Sequence, residues 1–211
     1  MGSDNNAHGI YLINFNYQEN APWNIGKPQP ALVQLFDNYP LSGPVLDAGC
    51  GAGDLAISIA NRRHKTLGID LSENAVEIAK GKVPTLKPEV QTLLDFRVGD
   101  ALKPSLFGNW FDAIVDSGFY HLFDQNTRDE YAGELFSSLN AGGRYYLLGF
   151  AIDSPIPNAP KQVTQDEIRK RFNQGNGWNI LSLEPAEFIT MFPRPRDKIP
   201  AFSACIEKLD L

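Results

Sequence analysis

The sequence predicts an α/β fold in which helices pack around a parallel β-sheet. Apolar runs of strand length alternate along the chain with amphipathic runs of helix length, which is the pattern of successive βαβ units. A glycine-rich turn follows the first apolar run, and acidic residues follow the later ones. The 211 residues contain no internal repeat and suffice for one domain of this class.

The first half of the chain is expected to form an N-terminal arm followed by three helices and three strands. Residues 1–27 form this arm or lid, and residues 28–211 form the main domain. Ser72 is expected to cap a helix, because its hydroxyl can accept a hydrogen bond from a free amide of the first turn. The expected helices are 29–39, 54–63 and 73–81, the expected strands include 45–46, 66–70 and 96–98, and 84–94 is a loop with one helical turn.

The second half is expected to add two helices and four strands. Asn140–Gly143 is expected to end a helix in the left-handed conformation, which glycine adopts readily. Thr164 and Glu167 form the pattern of a capping box, in which each side chain bonds the backbone amide of the other. The expected helices are 127–139 and 164–172, and the expected strands are 111–116, 144–150, 178–183 and 202–208.

Composition and charge exclude several classes of function. The formal net charge is -6 and the 19 Lys and Arg residues form no dense basic tract, so a nucleic-acid partner is not expected. The two cysteines form no C-x-x-C pair, which argues against a zinc ribbon, an iron–sulfur cluster and a disulfide scaffold. His8 and His64 have no partners at metal-ligand spacing, so no metal site is expected. The polar N-terminus and the lack of a long apolar run predict a cytoplasmic protein without a membrane span.

The glycine-rich turn carries the first chemical signal. Gly49, Gly51 and Gly53 allow the backbone to turn tightly and to approach a ligand, and the following helix offers free amides. A nicotinamide-cofactor fingerprint requires a small residue where Asp54 stands, so it fits poorly. Asp47 within the turn would repel a pyrophosphate, whereas it would suit a sulfonium or an ammonium group.

Three further acidic residues end successive strands. Asp70 comes 23 residues after Asp47, where an acidic side chain can accept hydrogen bonds from both ribose hydroxyls. Asp100 is expected near an adenine amino group, and Asp116 ends the fourth strand. All of them lie at the carboxyl edge of the predicted sheet, where open α/β sheets bind ligands. The alternative is that each aspartate only caps its own turn.

These segments resemble, in order and spacing, the motifs of the class I S-adenosylmethionine-dependent methyltransferases. The resemblance covers about residues 20–208 and implies a Rossmann-like seven-stranded sheet of order 3-2-1-4-5-7-6, with strand 7 antiparallel and helices on both faces. It implies S-adenosylmethionine as cofactor and S-adenosylhomocysteine as product. The matching segments are 47–53, 68–72, 99–101, 112–117 and 139–144.

The resemblance also implies which residues contact the cofactor. Residues 21–30 resemble the Trp-centred segment of thiol, halide, thiopurine and tellurite-type methyltransferases, which implies that the arm folds over the cofactor. The alternative is that Trp23 fills a surface groove. The implied cofactor contacts are Tyr17, Trp23, Asp47, Gly49, Cys50, Gly51, Asp70, Leu71, Asp100, Ala101, Asp116 and Ser117.

The segment after the fourth strand should meet the methyl acceptor. It begins Asp116-Ser117-Gly118-Phe119 and so lacks the Asn/Asp-Pro-Pro-aromatic motif of amino-group methyltransferases. Tyr17, Phe119 and Tyr120 are expected to contact the acceptor. His121 is the candidate general base, and its alternative role is to shape the pocket.

The expected function is methyl transfer to a thiol or an aromatic hydroxyl of a small molecule. Quinolone, phenol and quinone O-methyltransferases share this architecture, so the choice between sulfur and oxygen stays open. Two alternatives are an aminopropyl-type transferase of the same fold and a non-catalytic protein that binds the cofactor or a partner. The protein is expected to be a monomer or a homodimer.

Overall fold

The described residues of the computed structural model, 21–108, 110–151, 162–194 and 197–210, form a seven-stranded sheet. Its order is β3-β2-β1-β4-β5-β7-β6, which confirms the expected topology. Strand β7 is antiparallel to both of its neighbours, and the other pairs are parallel. The strands are β1 Val45–Ala48, β2 Thr66–Asp70, β3 Leu94–Val98, β4 Phe111–Ser117, β5 Leu139–Phe150, β6 Trp178–Ile189 and β7 Lys198–Lys208.

Six α-helices of the described part pack around this sheet, and several of them start at residues that the sequence marks as caps. The Ser72 hydroxyl accepts a hydrogen bond from the Ala75 amide, and the Thr164 hydroxyl accepts one from the Glu167 amide. The helices are α1 Pro30–Asn38, α2 Asp54–Asn61, α3 Glu73–Lys82, α4 Pro88–Gln91, α5 Gln125–Ser138 and α6 Gln165–Arg171.

The central strands are buried on both faces, so alternate side chains of one strand enter different cores. In β5, Tyr145 and Leu147 belong to the apolar cluster beneath α5 and α6. Tyr146 and Leu148 belong to the cluster beneath α1 and α2. This arrangement explains why the strand sequences read as continuous apolar runs.

Several element ends differ from the expected ones. The helix expected to end at Asn140–Gly143 ends at Ser138, and its cap residue Leu139 is extended. Leu139 pairs with Phe111 across an irregular register, so the chain enters β5 before it reaches Gly142, whose φ is +72°. Strands β6 and β7 are longer than expected, because they pair with each other as far as Ile189 and Lys198.

The parallel register brings the ends of β1, β2 and β4 to one edge of the sheet. Ala48 pairs with Ile69 on one side and with Asp116 on the other. The residues that follow these strands therefore lie close together in space. No helix of the described residues is long and apolar enough to cross a membrane.

Candidate active site

The glycine turn after β1 has the backbone geometry that the sequence predicts. Gly49, Gly51 and Gly53 all have positive φ, at +71°, +52° and +82°. A Cβ atom on Gly53 would lie 2.7 Å from the Phe96 ring and 2.8 Å from Ala79. Only glycine satisfies both the conformation and the close packing at that position. The backbone of residues 49–53 therefore forms a rigid surface, which is the floor of the candidate site.

Asp47 is the group at this floor with unused hydrogen-bonding capacity. Its side chain is buried, with 1% of the residue exposed, and its Oδ2 has no hydrogen-bond partner among the described residues. Burial is the main cause that raises the pKa of Asp47, and with the nearby carboxylates of Asp116 and Asp70 the pKa reaches about 8. A buried acid with an unpartnered oxygen is suited to a cationic ligand group.

Asp70 ends β2 beside the same turn. Its Oδ2 accepts a hydrogen bond from the Gly51 amide at 2.9 Å, and its Oδ1 accepts one from the Ser72 amide at 2.9 Å. Asp70 thus links the glycine turn to the start of α3. The next residue, Leu71, is exposed at the sheet edge and offers an apolar surface to a ligand.

Asp100 and Cys50, which are also expected to contact the cofactor, stabilise the turns in which they lie. The Asp100 Oδ1 accepts a hydrogen bond from the Leu102 amide at 3.0 Å, and the intervening Ala101 is buried. The Cys50 thiol is buried inside the glycine turn, and burial raises its pKa well above the ordinary value. Cys50 is therefore a small apolar residue of the turn rather than a nucleophile.

Asp116 departs from the cofactor-contact role expected for it. Its carboxylate is 0% exposed and accepts hydrogen bonds from the Phe119 amide at 2.8 Å, the Tyr120 amide at 3.0 Å and the Tyr145 hydroxyl at 3.0 Å. Burial raises its pKa to about 7 although these donors act in the opposite direction. Asp116 holds the loop after β4, and Ser117 is the residue of this strand end that is partly exposed.

The loop after β4 contains a short 3₁₀ turn, Tyr120–Leu122, and lies directly on the glycine turn. A Cβ atom on Gly49 would lie 2.7 Å from the Phe119 ring, so the two segments are in contact. Phe119 also packs edge-to-face on Phe123, with ring centroids 4.7 Å apart. These contacts place Phe119 against the glycine turn, and its contact with the acceptor stays a prediction.

Tyr120 does not fit the acceptor contact expected for it. The residue is fully buried, and its hydroxyl donates to Glu167 Oε1 at 3.2 Å and accepts from Arg171 Nη1. Because Asp116 binds its amide, the ring turns into the core beneath α5 and α6. Tyr17, the other expected acceptor contact, lies outside the described residues.

His121 has the environment of a pocket residue rather than that of a general base. It is 3% exposed, and its Nδ1 accepts a hydrogen bond from the Phe150 amide at 3.3 Å. Its ring packs on Phe150, with centroids 4.0 Å apart. Burial, together with the positive charge of Arg128, lowers its pKa to about 3. The ring is neutral, and the backbone occupies the lone pair that a base would use.

The N-terminal segment is anchored to the hairpin of β6 and β7. The Gln29 amide donates to the Ile189 carbonyl at 2.9 Å and accepts from the Ile189 amide at 2.8 Å. The Met191 amide donates to the Pro22 carbonyl at 2.7 Å. Trp23 packs against the apolar cluster that includes Phe150 and Phe188. Residues 22–29 are thus held against the hairpin and beside Phe150 and Phe188.

Three features were not predicted from the sequence pattern: the bonds of Gln29, the burial of Arg128 and the ion pair of Glu167 with Arg128. Arg128 had a detectable signal, because it occupies the apolar stripe of α5, which continues with Tyr131, Ala132 and Leu135. A charged residue on a buried stripe requires a partner. Gln29 offered no such signal, since its partner lies 160 residues away in the chain.

Comparison with known proteins agrees with this geometry. The family described as "Methyltransferase domain" matches residues 45–143, which contain the glycine turn, Asp70 and the loop after β4. A 2-heptyl-1-hydroxyquinolin-4(1H)-one methyltransferase of Mycobacteroides abscessus is 30% identical over 167 residues, which are 78% of this chain and 71% of that protein. A probable thiol methyltransferase 2 of Arabidopsis thaliana is 31% identical over 71% of this chain and 66% of its own length.

A solved structure described as "Conversion of a Disulfide Bond into a Thioacetal Group during Echinomycin Biosynthesis" superposes with a TM-score of 0.78. It is 26% identical and covers 96% of this chain and 90% of its own. The free Asp47 oxygen, the glycine floor and Asp70 fit the cation and the ribose of S-adenosylmethionine. The chain therefore belongs to the S-adenosylmethionine-dependent methyltransferases, with S-adenosylmethionine as its cofactor and S-adenosylhomocysteine as the product.

Proposed function

We propose that the protein methylates a thiol or an aromatic hydroxyl of a small molecule. The observation that carries this proposal is the contact between the Phe119 loop and the glycine turn. Aromatic packing forms a wall along the loop after β4: Phe119 packs on Phe123, His121 packs on Phe150, and Phe150 packs on Phe188. Such a wall suits an apolar or delocalised acceptor better than a strongly hydrated amine.

The residues that would hold the cofactor are those of the glycine turn, Asp47 and Asp70. When bound, S-adenosylmethionine supplies an electrophilic methyl group on a positively charged sulfur. The unpartnered Asp47 Oδ2 is suited to the ammonium group, and Asp70 is suited to the ribose hydroxyls. Leu71, Trp23 and Tyr17 are further proposed contacts.

On the acceptor side, the chain contributes position and exclusion of water. Holding the two reactants in line can lower the barrier by about 7–11 kcal/mol. An acceptor that is already partly ionised near neutral pH needs no protein base. His121 then acts as a rigid, neutral wall of the pocket, because Phe150 holds it through both its amide and its ring.

The two named relatives support the same two classes of acceptor. One is named for a hydroxyquinolinone and the other for a thiol. Both nucleophiles are polarisable and acidic, which matches an aromatic site whose nearest histidine is neutral.

Methyl transfer from labelled S-adenosylmethionine to a panel of acceptors tests the proposal. The panel contains a simple thiol, a 1-hydroxyquinolin-4-one, a phenol and a primary amine, with Asp70→Ala as the cofactor-site control. We expect product with the thiol or a hydroxyl acceptor. Transfer to the amine alone, or retention of cofactor without any methylated product, contradicts the proposal.

A further inference from the structure

Arg128 is a buried cation on the side of α5 that faces the sheet. Only 1% of the residue is exposed. A guanidinium group removed from water is costly unless hydrogen-bond acceptors surround it. Its partners therefore indicate what the fold gains by keeping a charge at this position.

The guanidinium group binds the backbone of the acceptor-side loop. Arg128 Nε donates to the Tyr120 carbonyl at 3.2 Å, and Nη2 donates to the His121 carbonyl at 3.4 Å. Nη1 donates to the Gln162 carbonyl at 3.3 Å. Arg128 thus binds two consecutive residues of the loop and also the irregular segment that precedes α6.

Glu167 on α6 fixes the guanidinium group in turn. Both of its carboxylate oxygens lie 3.0 Å from Arg128 Nη1, and Oε1 also accepts from Arg171 at 2.7 Å. Burial acts to raise the pKa of Glu167, but Arg128, Gln125 and Arg171 together hold it below the ordinary value. The carboxylate is therefore ionised at neutral pH and balances the buried cation.

The same loop is held from its other side by Asp116. Asp116 accepts hydrogen bonds from the amides of Phe119 and Tyr120. Arg128 donates hydrogen bonds to the carbonyls of Tyr120 and His121. A buried carboxylate thus binds backbone amides of this short turn, and a buried guanidinium group binds its backbone carbonyls. The side chain presented between them is Phe119, which contacts the glycine turn.

We propose that Arg128, held by Glu167, is a positioning residue that sets the Phe119–Leu122 loop against the glycine turn and so aligns the acceptor. This inference rests on the proposed methyl-transfer function. It predicts that loosening the guanidinium group changes the reaction more than it changes cofactor binding, because the cofactor contacts Asp47 and Asp70 come from other elements.

The test uses variants that keep the size of each side chain. Glu167→Gln removes the carboxylate charge, and Arg128→Lys keeps a cation but loses the planar donor fork. Asp166→Asn is the matched control, because Asp166 is the neighbouring acid on α6 and is exposed. Arg128→Met extends the series, and partial rescue by Arg128→Lys distinguishes positioning from simple filling of space.

Single-turnover rates are normalised to the number of S-adenosylhomocysteine-binding sites, so that only folded protein counts. We expect Glu167→Gln to lower this rate by about tenfold to a hundredfold, since small misplacements of reactants have effects of this size. The Kd for S-adenosylhomocysteine should stay within about threefold, and Asp166→Asn should match the wild type on both measures.

Hydrogen exchange provides a readout that needs no acceptor. The amides of Phe119 and Tyr120 should exchange at least about tenfold faster in Glu167→Gln and Arg128→Lys, because the loop opens more often. Unchanged exchange in both variants overturns the positioning role. If the wild type binds S-adenosylhomocysteine but methylates no acceptor, the proposed function fails while the exchange result still decides the role of Arg128.

Discussion

Asp47 and Asp116 show how two aspartates in similar sequence positions acquire different roles. Both lie on the central strands and both are buried. Each oxygen of Asp116 accepts a hydrogen bond within the fold, whereas Asp47 Oδ2 has no partner among the described residues. An unsatisfied buried acceptor costs stability, so it is retained where a ligand completes it. Asp116 therefore maintains structure, and Asp47 is the acid that we propose for the cofactor.

Asp47→Asn should make the stability of the cofactor-free protein less dependent on pH between 3.8 and about 8. The folded-state pKa of about 8 exceeds the ordinary 3.8, so between these values the folded protein binds more protons than the unfolded chain. The free energy of unfolding of the wild type should consequently fall as pH rises through this window. We expect the variant to lose part of that slope and to be the more stable protein above the window.

Urea denaturation across this pH range measures the slope, and calorimetry measures S-adenosylhomocysteine binding. The variant should bind more weakly, because an amide does not neutralise an ammonium group. Identical slopes in wild type and variant would show that Asp47 is not protonated in the folded protein.

His121→Asn should slow all acceptors alike. The Nδ1 lone pair is occupied by the Phe150 amide and the pKa lies near 3, so the ring does not exchange protons near neutral pH. We expect equal rate decreases for a thiol and for a weakly acidic phenol, with an unchanged pH profile. A loss of about 100-fold confined to the phenol would restore the general-base role.

At the scale of elements, the glycine turn and the loop after β4 form one unit. Phe119 occupies the space that a side chain on Gly49 would need, so the proposed cofactor site and the proposed acceptor site share a contact. The loop is held through Asp116 on one side and through Arg128 on the other. A change in the glycine turn should therefore also displace the Phe119 ring.

Gly49→Ala should impair both cofactor binding and methyl transfer. The positive φ of +71° costs an alanine about 1–2 kcal/mol, and its Cβ would lie 2.7 Å from the Phe119 ring. Gly81→Ala is the matched control, because Gly81 lies in α3 and the added Cβ would meet nothing within 4 Å beyond its chain neighbours and the backbone of its own helix. It should stabilise the helix by about 0.5–1 kcal/mol and leave activity unchanged.

Thermal unfolding and turnover are measured on both glycine variants. Both substitutions add the same methyl group. The difference between their effects on Tm and on turnover therefore reports the geometry of the glycine turn. Full activity in Gly49→Ala would mean that the contact between Phe119 and the turn has no role in catalysis.

At the scale of the whole molecule, the cofactor floor rests on the most buried part of the sheet. Strands β1 and β4 have apolar clusters on both faces, so their ends are held rigidly. The floor is thus a feature of the folded state alone. A ligand that binds there stabilises the whole domain by mass action.

S-adenosylhomocysteine should therefore raise the Tm, whereas NAD should not. At a ligand concentration 100 times the Kd, the stabilisation should be about 2.7 kcal/mol. Differential scanning fluorimetry with both ligands measures the shift, and Asp70→Ala should reduce it. An equal shift with NAD would contradict the assignment of the cofactor site.

Much of the fold could be predicted from the sequence because the responsible signals are local. Ser72 and Thr164 cap their helices through amides three residues away, and the glycines adopt the positive φ that their spacing indicates. The family motifs then supplied the strand order that the structure confirms. Element ends were less accurate, because the pairing of β6 with β7 and of Leu139 with Phe111 extends the strands.

By itself, the sequence determined the fold class, the cofactor family and the positions of the glycine turn and the strand-end acids. Only the tertiary structure decided which buried acid keeps an oxygen without a hydrogen-bond partner among the described residues. It also decided where Tyr120 points and which group occupies the His121 lone pair. Those outcomes depend on pairs such as His121 with Phe150 and Arg128 with Glu167, which are 29 and 39 residues apart. Local pattern specifies backbone conformation, whereas burial and hydrogen-bond satisfaction depend on every element that packs nearby.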